Sequence, residues 1–389
     1  MVRLGDICKF QSGGTPSKSN PDYFGGTIPW ITTIALTGNI INETNAVQWI
    51  TPKAIQETAA KIVPEYSIMV GTRVGVGKVA INSVPMSTSQ DVVSLINIDS
   101  ERWDKEYLCK LILSRNNYLL SQARGATIKG IKIDILAELI IPDVPLGEQR
   151  RIAATLDKVD NLISKRCQQL DKLDELVKAR FVEMFGDPES NDKKWDLVTI
   201  GQVLASCEAG WSGNGTQRER KTGEIAVLKV SAVTKGFFIP EECKVLDDQN
   251  NIKKYIFPQK GDLIFSRANT REMVGATAVI WKDYPELILP DKLWKLQFCS
   301  CAKTLYMKYI LSSKTIREKF STASTGTSGS MYNVSMEKFK AVSIPIPPVE
   351  LQDQFATFVE QTEKARSSIS CSLEKLETLK KALMQEYFG

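Results

Sequence analysis

Apolar residues recur every three or four positions along two long segments of the chain. The first segment carries Ile152, Leu156, Val159, Ile163, Leu170, Leu173 and Val177, and the second carries Phe355, Val359, Ile369, Leu373, Leu376 and Leu383. This spacing places the side chains on one stripe of an α-helix. The pattern predicts two long helices, over residues 146–186 and 349–389, that pair along these stripes as an antiparallel coiled coil. The alternative is that each helix packs only on its own domain.

The two helical segments are copies of one another. Residues 142–186 and 345–389 align at a constant separation of 203 without a gap, and 14 of the 45 pairs are identical. Looser matches precede them, such as SIMVGTR (67–73) with DLIFSR (262–267) and TSQDVVSL (88–95) with LPDKLWKL (289–296). An internal repeat of this kind predicts two similar units. We expect a domain over 1–145, a helix over 146–186, a domain over 187–348 and a helix over 349–389.

The regions between the helices read as mixed and rich in strands. Short β-branched runs, such as 28–36 and 92–98, alternate with Gly, Pro and Asn turns. Helical patches are expected at 105–115 and again at 305–319. The predicted fold class is α+β, with two similar strand-rich domains, two long paired helices and a pseudo-twofold internal repeat.

The composition removes several kinds of chemistry. The chain contains no histidine, which excludes Ser-His-Asp and Cys-His catalysis and every imidazole metal site. The segment GTRVGVGKV (71–79) resembles a phosphate loop, but its glycine spacing is wrong and Val79 replaces the metal-binding hydroxyl. A tight turn between strands is the better interpretation. We therefore expect no catalytic centre, no metal site and no cofactor in this chain.

Charge and cysteine content place few further limits. The chain has 50 basic and 45 acidic residues, a net charge of +5, which permits nucleic-acid binding without requiring it. No apolar run approaches the roughly 18 residues of a membrane span, and the first residues lack the apolar core of an export signal. The eight cysteines form no CxxC motif. They are interpreted as reduced thiols of a cytoplasmic protein.

Two motifs connect this pattern to a known family. IPDVPLGEQRRIAATLD (141–157) and its copy IPIPPVELQDQFATFVE (344–360) open the helices, and LGDI followed by GGTPS opens the chain. With these motifs the chain resembles, over essentially its whole length, the specificity subunit of type I restriction-modification systems. The resemblance implies two target recognition domains that each read one half of a bipartite site in double-stranded DNA. It also implies that the two conserved helices set the spacer between the half-sites.

The same resemblance implies partners. The helices would dock two modification subunits, which bind S-adenosylmethionine and methylate adenine, and two restriction subunits that use ATP and Mg²⁺ can join such a complex. The specificity subunit itself is not an enzyme, and S-adenosylmethionine, ATP and Mg²⁺ belong to its partners. No membrane is involved.

Candidate DNA contacts follow from residue type and position. Phosphate contacts favour Lys, Arg and small polar side chains, and base-edge contacts favour Arg, Asn, Gln, Ser and Thr. Loops rich in these residues give, in the first domain, Thr15, Ser17, Lys18, Arg73, Arg124, Thr127 and Lys129. In the second domain they give Trp211, Ser212, Asn214, Arg218, Arg267, Asn269, Arg271, Thr327, Ser330 and Tyr332.

Two other functions fit the residues. A non-catalytic coiled-coil adaptor with duplicated protein-binding modules is one, and a nuclease using carboxylates and Mg²⁺ is another. Salt separates the adaptor from a DNA binder, because six to ten phosphate contacts lose roughly 10³–10⁵ in affinity between 50 and 200 mM salt. Neither the recognised bases nor the spacer length can be predicted from the sequence.

Overall fold

The computed structural model describes residues 1–125, 129–324 and 332–389. It divides into two units that do not follow the chain in simple order. Unit 1 comprises Met1–Cys167 together with Cys371–Gly389, and unit 2 comprises Gln168–Ser370. Each unit therefore contains part of both long helices. None of the helices in these described ranges is long and apolar enough to cross a lipid bilayer.

Unit 1 is built on three sheets. Its strands are β1 (Val2–Arg3), β2 (Lys9–Ser12), β3 (Phe24–Ile31), β4 (Ile40–Ile41), β5 (Gln48–Ile50), β6 (Ile62–Val63), β7 (Ile68–Gly71), β8 (Val79–Asn82), β9 (Met86–Thr88), β10 (Val92–Ile96) and β11 (Ile140–Ile141). The strand orders are β1-β11, β2-β10-β7-β8-β4 and β5-β3-β9-β6. The β3–β9 and β4–β8 pairs are parallel, and the others are antiparallel. Strands β7 and β8 are buried throughout, as expected for continuous apolar runs.

The helices of unit 1 cover these sheets. They are α1 (Pro52–Glu57), α2 (Lys105–Ser114), α3 (Asn116–Gln122), α4 (Ile133–Ala137) and the first part of α5 (Leu146–Phe185). Short 3₁₀ turns occur at Leu4–Asp6, Pro21–Tyr23, Thr33–Ala35 and Glu43–Asn45. The strand expected over 28–36 thus ends at Ile31, because the chain turns into a 3₁₀ helix. The β7–β8 connection is the expected tight turn, with Gly75 and Gly77 at φ of +80° and +78°, where only glycine is unstrained.

Unit 2 repeats most of this architecture. Its strands are β12 (Asp196–Thr199), β13 (Leu204–Ala209), β14 (Gly215–Thr216), β15 (Ala226–Leu228), β16 (Cys243–Leu246), β17 (Leu263–Ser266), β18 (Ala268–Asn269), β19 (Thr277–Val279), β20 (Leu287–Ile288), β21 (Leu293–Phe298), β22 (Tyr332–Asn333) and β23 (Ser343–Ile346). The strand orders are β12-β23, β13-β21-β17-β19, β14-β16-β15-β20 and β18-β22. The sheet β13-β21-β17-β19 matches β2-β10-β7-β8 strand for strand, so the repeat extends through the domains.

The helices of unit 2 differ from the prediction at one place. They are α6 (Ile200–Val203), α7 (Ser231–Thr234), α8 (Thr304–Ser312), α9 (Lys314–Ala323), α10 (Met336–Ala341) and, shared with unit 1, α11 (Val349–Phe388). The helical patch expected over 305–319 is two helices, because Ser313 has an extended backbone with ψ of 147°. Its hydroxyl donates to the carbonyl of Ile310 and so caps the end of α8 (2.7 Å).

A buried glutamine fixes the start of each long helix. Gln149 is 1% exposed. Its Oε1 accepts from the backbone N–H of Asp104 (2.9 Å), and its Nε2 donates to the carbonyls of Arg102 (3.0 Å) and Val144 (2.9 Å). The side-chain amide thus joins the N-cap of α2 to the N-terminus of α5. Both polar atoms of this buried amide have hydrogen-bond partners.

Unit 2 contains the same arrangement. Gln352 is fully buried, accepts from the N–H of Lys303 (2.8 Å) and donates to the carbonyls of Cys301 (3.1 Å) and Pro347 (2.8 Å). The glutamines at positions 149 and 352 are therefore retained in both copies because each ties a long helix to its domain.

The two long helices pair in opposite directions within each unit. In unit 1, the beginning of α5 lies beside the end of α11, and Asp160 pairs with Lys380 (2.5 Å). In unit 2, the end of α5 lies beside the beginning of α11, and Asp174 pairs with Arg366. The predicted antiparallel pairing is thus present, and neither long helix packs only on the domain that precedes it.

The ends of the helices are exchanged between the repeats. Phe388 ends α11 in unit 1, where its ring lies 5.3 Å from that of Tyr107. Phe185 ends α5 in unit 2, where its ring lies 5.0 Å from that of Tyr306. Both phenylalanines are at most 4% exposed. Each unit is therefore completed by the helix end that follows the other domain.

The cysteines depart from the prediction at one place. Cys299 and Cys301, expected to be reduced, are joined by a disulfide. The remaining six cysteines have free thiols. The bonded pair occupies the turn between β21 and α8, where the two Cα atoms are 5.4 Å apart, a separation that a disulfide spans.

Candidate nucleic-acid interface

In unit 1, loop residues and strand ends meet at one sheet edge. The hydroxyl oxygen of Thr15, after β2, accepts from the backbone N–H of Gln90, in the β9–β10 turn (3.4 Å). Thr72, directly after β7, donates its N–H to the carbonyl of Asp91 (2.8 Å) and accepts from the N–H of Ile131 (2.8 Å). We call Thr15, Thr72 and Gln90 the β7 edge. Thr15 and Gln90 are exposed there.

Unit 2 forms the same edge with different side chains. The hydroxyl oxygen of Ser212 accepts from the N–H of Asp291 (3.4 Å). Arg267 donates its N–H to the carbonyl of Lys292 (3.1 Å) and accepts from the N–H of Val334 (2.9 Å). We call Ser212, Arg267 and Asp291 the β17 edge. The backbone bonds match those of the β7 edge, so the two edges are structural copies.

The alignment of the motifs SIMVGTR and DLIFSR equates Arg73 with Arg267, but the structure places them at different positions of the repeat. Gly71 pairs with Val92, and Ser266 pairs with Leu293, at matching positions of the two sheets. The residue after each strand is Thr72 in unit 1 and Arg267 in unit 2. Arg73 therefore lies one position beyond the counterpart of Arg267, in the bend that follows β7.

Arg73 instead belongs to a basic cluster in unit 1. Arg124 and Gly130 exchange two backbone hydrogen bonds of 2.9 Å. The stem of Arg73 lies against Gly130, where an added Cβ would be 3.0 Å from its Cγ. Lys129 adjoins Gly130 in sequence, and all three cations are exposed. The structure thus brings Arg73, Arg124 and Lys129 together beside the β7 edge.

The charge of Arg267 is partly balanced within the β17 edge. Its Nε donates to the carbonyl of Asp291 (3.0 Å), and its terminal nitrogen lies 3.9 Å from the Asp291 carboxylate. That carboxylate also accepts from the hydroxyl of Ser212. The three side chains form one polar surface with donors and acceptors, which is what recognition of base edges requires.

Arg218 differs from Arg267 because its guanidinium is fully engaged by a carboxylate. Two nitrogens of Arg218 bond to the two oxygens of Glu224, both at 2.7 Å. The Arg218 hydrogen bonds, with that from the backbone of Lys221, lower the pKa of Glu224 to about 2. A phosphate would have to displace this bidentate pair to reach Arg218.

The other predicted residues lie in several places. Ser17 and Lys18 are exposed in the loop after Thr15, Trp211 packs beside Val227 and Leu246, and the carbonyl of Asn214 accepts from Asp247. Asn269 faces Tyr332 in the β18–β22 pair, and Arg271 is exposed near Arg317 and Glu318. Thr127, Thr327 and Ser330 lie outside the described residues.

The residues of the predicted helix stripe are less exposed than their neighbours, and those near the helix ends pack into the cores of the two units. The stripe's 13 residues are all buried or partly buried, whereas most neighbouring positions on α5 and α11 are exposed. A separate charged contact joins α5 to the domain of unit 1. In unit 1, Lys110 of α2 bonds to Asp157 (2.7 Å) and Asp160 (2.9 Å) of α5. Desolvation opposes the charge of Lys110, but the bonds to these two aspartates raise its pKa overall.

Within the described ranges, no group of three or more Cys, Asp or Glu side chains could hold a metal ion. The polar edges consist of hydroxyl, amide, guanidinium and carboxylate groups at turns. Such groups can bind phosphates and base edges by hydrogen bonding.

The two halves also match a known family. The model of the type I restriction modification DNA specificity domain matches residues 1–174 and 192–378. The chain belongs to this family. The family's domain occurs twice in the chain, because its model matches two separate ranges. Each of these ranges contains one of the two polar edges.

Individual members of the family are similar over different lengths. The MjaIX specificity subunit of Methanocaldococcus jannaschii is 30% identical over 257 residues, 61% of this chain and 58% of that protein. The EcoR124I/EcoR124II specificity subunit of Escherichia coli is 30% identical over 46% of this chain and 45% of that protein. The MjaVIII specificity subunit of M. jannaschii is 24% identical over 99% of this chain and 90% of that protein. The chain therefore matches little more than half of the first relative and less than half of the second.

A solved family structure has the same fold. The S subunit of a type I restriction-modification system from M. genitalium superposes with a TM-score of 0.59 at 14% identity, covering 100% of this chain and 95% of that one. This likeness covers both repeats and both long helices.

Sequence reasoning missed Thr72, which stands directly before Arg73 in the motif SIMVGTR. It also missed Gln90 and Asp291 as members of the edges. Both residues were present in the matched motifs TSQDVVSL and LPDKLWKL, at the same position of the repeat. Comparing the repeats position by position would have identified them, because the backbone contact is retained while the side chain changes from amide to carboxylate.

Proposed function

We propose that this chain is the DNA sequence-specificity subunit of a type I restriction-modification complex, and that each unit reads one half of a bipartite target in duplex DNA. The observation that carries the proposal is the repeated match to the DNA specificity domain, once in each half of the chain. The two polar edges support it. In each edge, a hydroxyl accepts a hydrogen bond from the backbone of a turn residue, and a residue at the end of a strand lies beside them.

The side chains of the two edges differ where the backbone agrees. Gln90 corresponds to Asp291. The counterpart of Arg267 is Thr72, which is 5% exposed and whose hydroxyl donates to the carbonyl of Asp91 (3.2 Å), so only unit 2 presents a long side chain at this position. An amide can pair with adenine, a carboxylate accepts from cytosine and an arginine pairs with guanine. Different side chains in one frame are what a protein needs to read two unlike half-sites.

The proposed role of the helix pair is to set the distance between the half-sites and to dock two methyltransferase subunits. Half-sites read from one face of the duplex are about 34–36 Å apart, or a multiple of this spacing. Lengthening both helices would then change the spacer, whereas replacing one domain would change one half-site. In this proposal the chain has no catalytic activity, and its partners supply S-adenosylmethionine and the methyl transfer.

The decisive experiment compares adenine methylation across the host genome with and without this gene. We expect the deletion to remove methylation at one split motif, consisting of two short half-sites around a fixed spacer. An unchanged methylome, together with no binding of the purified chain to duplex DNA, would overturn the proposal.

Binding of the purified chain to duplex DNA provides a second test. We expect affinity to fall steeply between 50 and 200 mM salt, because phosphate contacts release counterions. An adaptor that binds only proteins would show no such DNA binding, and a nuclease would cleave the duplex when Mg²⁺ is added.

A further inference from the structure

Unit 2 contains a cavity of about 250 Å³ whose walls carry an excess of positive charge. It lies between β19, α8 and α9 on one side and α5 and α11 on the other. Its charged lining consists of two carboxylates, Asp174 and Glu363, and five cations, Lys178, Lys235, Lys308, Arg317 and Arg366. All of these residues belong to unit 2.

The two carboxylates are already engaged by one of the five cations. Arg366 bonds to Asp174 and lies 3.4 Å from Glu363. Burial raises the pKa of Glu363, although the charge of Arg366 opposes this. Among the described residues, none of the ion pairs includes Lys178, Lys235 or Lys308. The charge of Asp174 acts on Lys308, but Arg366 already engages this carboxylate, so the cavity keeps a surplus of positive charge.

In the described part of the chain, two of the surplus cations form hydrogen bonds with neutral groups only. The ammonium of Lys308 donates to the hydroxyl of Ser312 (3.3 Å), and burial lowers its pKa to about 8. The guanidinium of Arg317 donates to the carbonyls of Glu272 and Val274, and burial lowers its pKa as well. A cation removed from water without a charged partner is costly, so these positions favour an incoming anion.

The corresponding cavity of unit 1 has the opposite charge. The tyrosines of α2 and α8 mark equivalent positions, because Tyr107 and Tyr306 each donate to the carbonyl of the proline that leads into a long helix. Two residues further on, Cys109 corresponds to Lys308. The unit 1 cavity is lined by Glu106, Asp157 and Asp160 with Lys110 as its cation. The positive cavity is therefore a property of unit 2 and not a requirement of the fold.

We propose that the unit 2 cavity binds the phosphate group of a small anion, held by Lys308, Arg317 and Lys178. A phosphate carries three strong acceptor oxygens and suits a site with several converging donors. The indole of Trp281 and the ring of Phe237 line the same cavity and are 39% and 48% exposed. They provide an apolar surface for a group attached to the phosphate. This site is separate from the β17 edge, and its occupancy does not depend on the proposed function.

The test is calorimetric titration of the full chain, in phosphate-free buffer, with inorganic phosphate and separately with adenosine monophosphate. We expect inorganic phosphate to bind with a dissociation constant below about 1 mM. The Lys308→Gln variant should bind at least about tenfold more weakly. Lys364→Gln removes an exposed lysine of α11 that does not line the cavity, and it should bind like the wild type. Tighter binding of the nucleotide would identify a phosphate monoester as the ligand, and equal binding would identify free phosphate.

The folded state is monitored in the same samples. Phosphate should raise the unfolding midpoint of the wild type by mass action, and it should not do so for Lys308→Gln. No binding by a folded wild type, or equal affinity in Lys308→Gln, would overturn the proposal. Displacement of bound phosphate by a short DNA duplex would also overturn it, because the cavity would then be part of the DNA path.

Discussion

At the scale of single residues, function depends on side chains placed in a repeated backbone frame. Thr15 and Ser212 accept the same backbone hydrogen bond at the same distance, 3.4 Å. Neither edge is marked by an unusual motif, because serine and threonine are common in loops. What distinguishes these hydroxyls is the duplicated contact, and this contact involves residues more than 70 positions apart in sequence.

A first prediction concerns Arg267. Replacing it with alanine should weaken binding to the cognate duplex by about tenfold, since one good base contact contributes about 1–3 kcal/mol. Discrimination should relax in only one half-site. The measurement is duplex binding against a panel of single-base variants of the target.

The control for this prediction is Arg218→Ala, which removes an arginine that Glu224 already neutralises. We expect this variant to retain full discrimination in both half-sites. If Arg218→Ala relaxed the discrimination between bases and Arg267→Ala kept it, the β17 edge would not read bases.

A second prediction concerns pH and Lys308. Its pKa is 10.5 in the unfolded chain and about 8 in the folded one. Between these values the unfolded state binds more protons than the folded state, so the free energy of unfolding rises with pH from 8 to 10.5. Below pH 8 the buried ammonium of Lys308 is charged in the folded state, and its full desolvation cost lowers the stability. The groups around Lys308 are Asp174 and Lys178 of α5, Arg317 of α9 and Arg366 of α11.

Lys308→Met should therefore stabilise unit 2 at pH 7, in phosphate-free buffer, by about 2 kcal/mol. The gain over the wild type should shrink as the pH approaches 10.5. Hydrogen exchange of α8 in increasing urea measures both effects, with Lys364→Met as the control. A variant less stable than the wild type at pH 7 would contradict the depressed pKa.

At the scale of elements, the sequence predicted most where the pattern is local and repeated. The two long helices follow from spacing alone, since an apolar residue every three or four positions is a helical pattern. The short strands and the break at Ser313 were harder to place. A single extended residue between two helix-forming runs leaves no periodic signal in the sequence. In the structure, the extended backbone of Ser313 and the hydrogen bond of its hydroxyl to Ile310 mark the end of α8.

The glutamine at the start of each long helix gives a prediction at this scale. Gln352→Ala would leave the N–H of Lys303 and the carbonyls of Cys301 and Pro347 without their partners. Each buried unsatisfied group costs about 1–3 kcal/mol, so we expect α11 to lose protection at its N-terminus and unit 2 to be less stable by about 3 kcal/mol.

Gln361→Ala is the matched control, because Gln361 is exposed on the same helix. It should leave the unfolding midpoint of unit 2 unchanged. Equal midpoints for the two variants would mean that the buried amide does not anchor α11.

At the scale of the whole molecule, the sequence indicated two units but not how they are completed. The boundaries of the repeat suggest that each domain packs against the whole of the helix that follows it in the chain. Unit 1 instead contains Cys371–Gly389, and unit 2 contains the second part of α5. Both copies end in Phe-Gly, so nothing in the sequence distinguishes a helix end that packs on its own domain from one that packs on the other.

The exchanged helix ends give a paired prediction. Phe388→Ala should destabilise unit 1, and Phe185→Ala should destabilise unit 2, each by about 3–5 kcal/mol, because each removes a fully packed aromatic side chain. Hydrogen exchange of α2 and α8 reports the two units separately. Each variant serves as the control for the other, and a reversed pattern would contradict the exchange.

The discontinuous make-up of unit 1 affects how the protein is made. A ribosome adds about 5–20 residues per second, so the 203 residues of unit 2 separate the two parts of unit 1 by roughly 10–40 s of synthesis. During this interval Tyr107 and its apolar neighbours have no Phe388 to cover them. Unit 2 comes from one continuous stretch and can finish first. Chains truncated before residue 371 would leave apolar surface of unit 1 exposed. We expect such chains to be bound by chaperones and degraded by proteases.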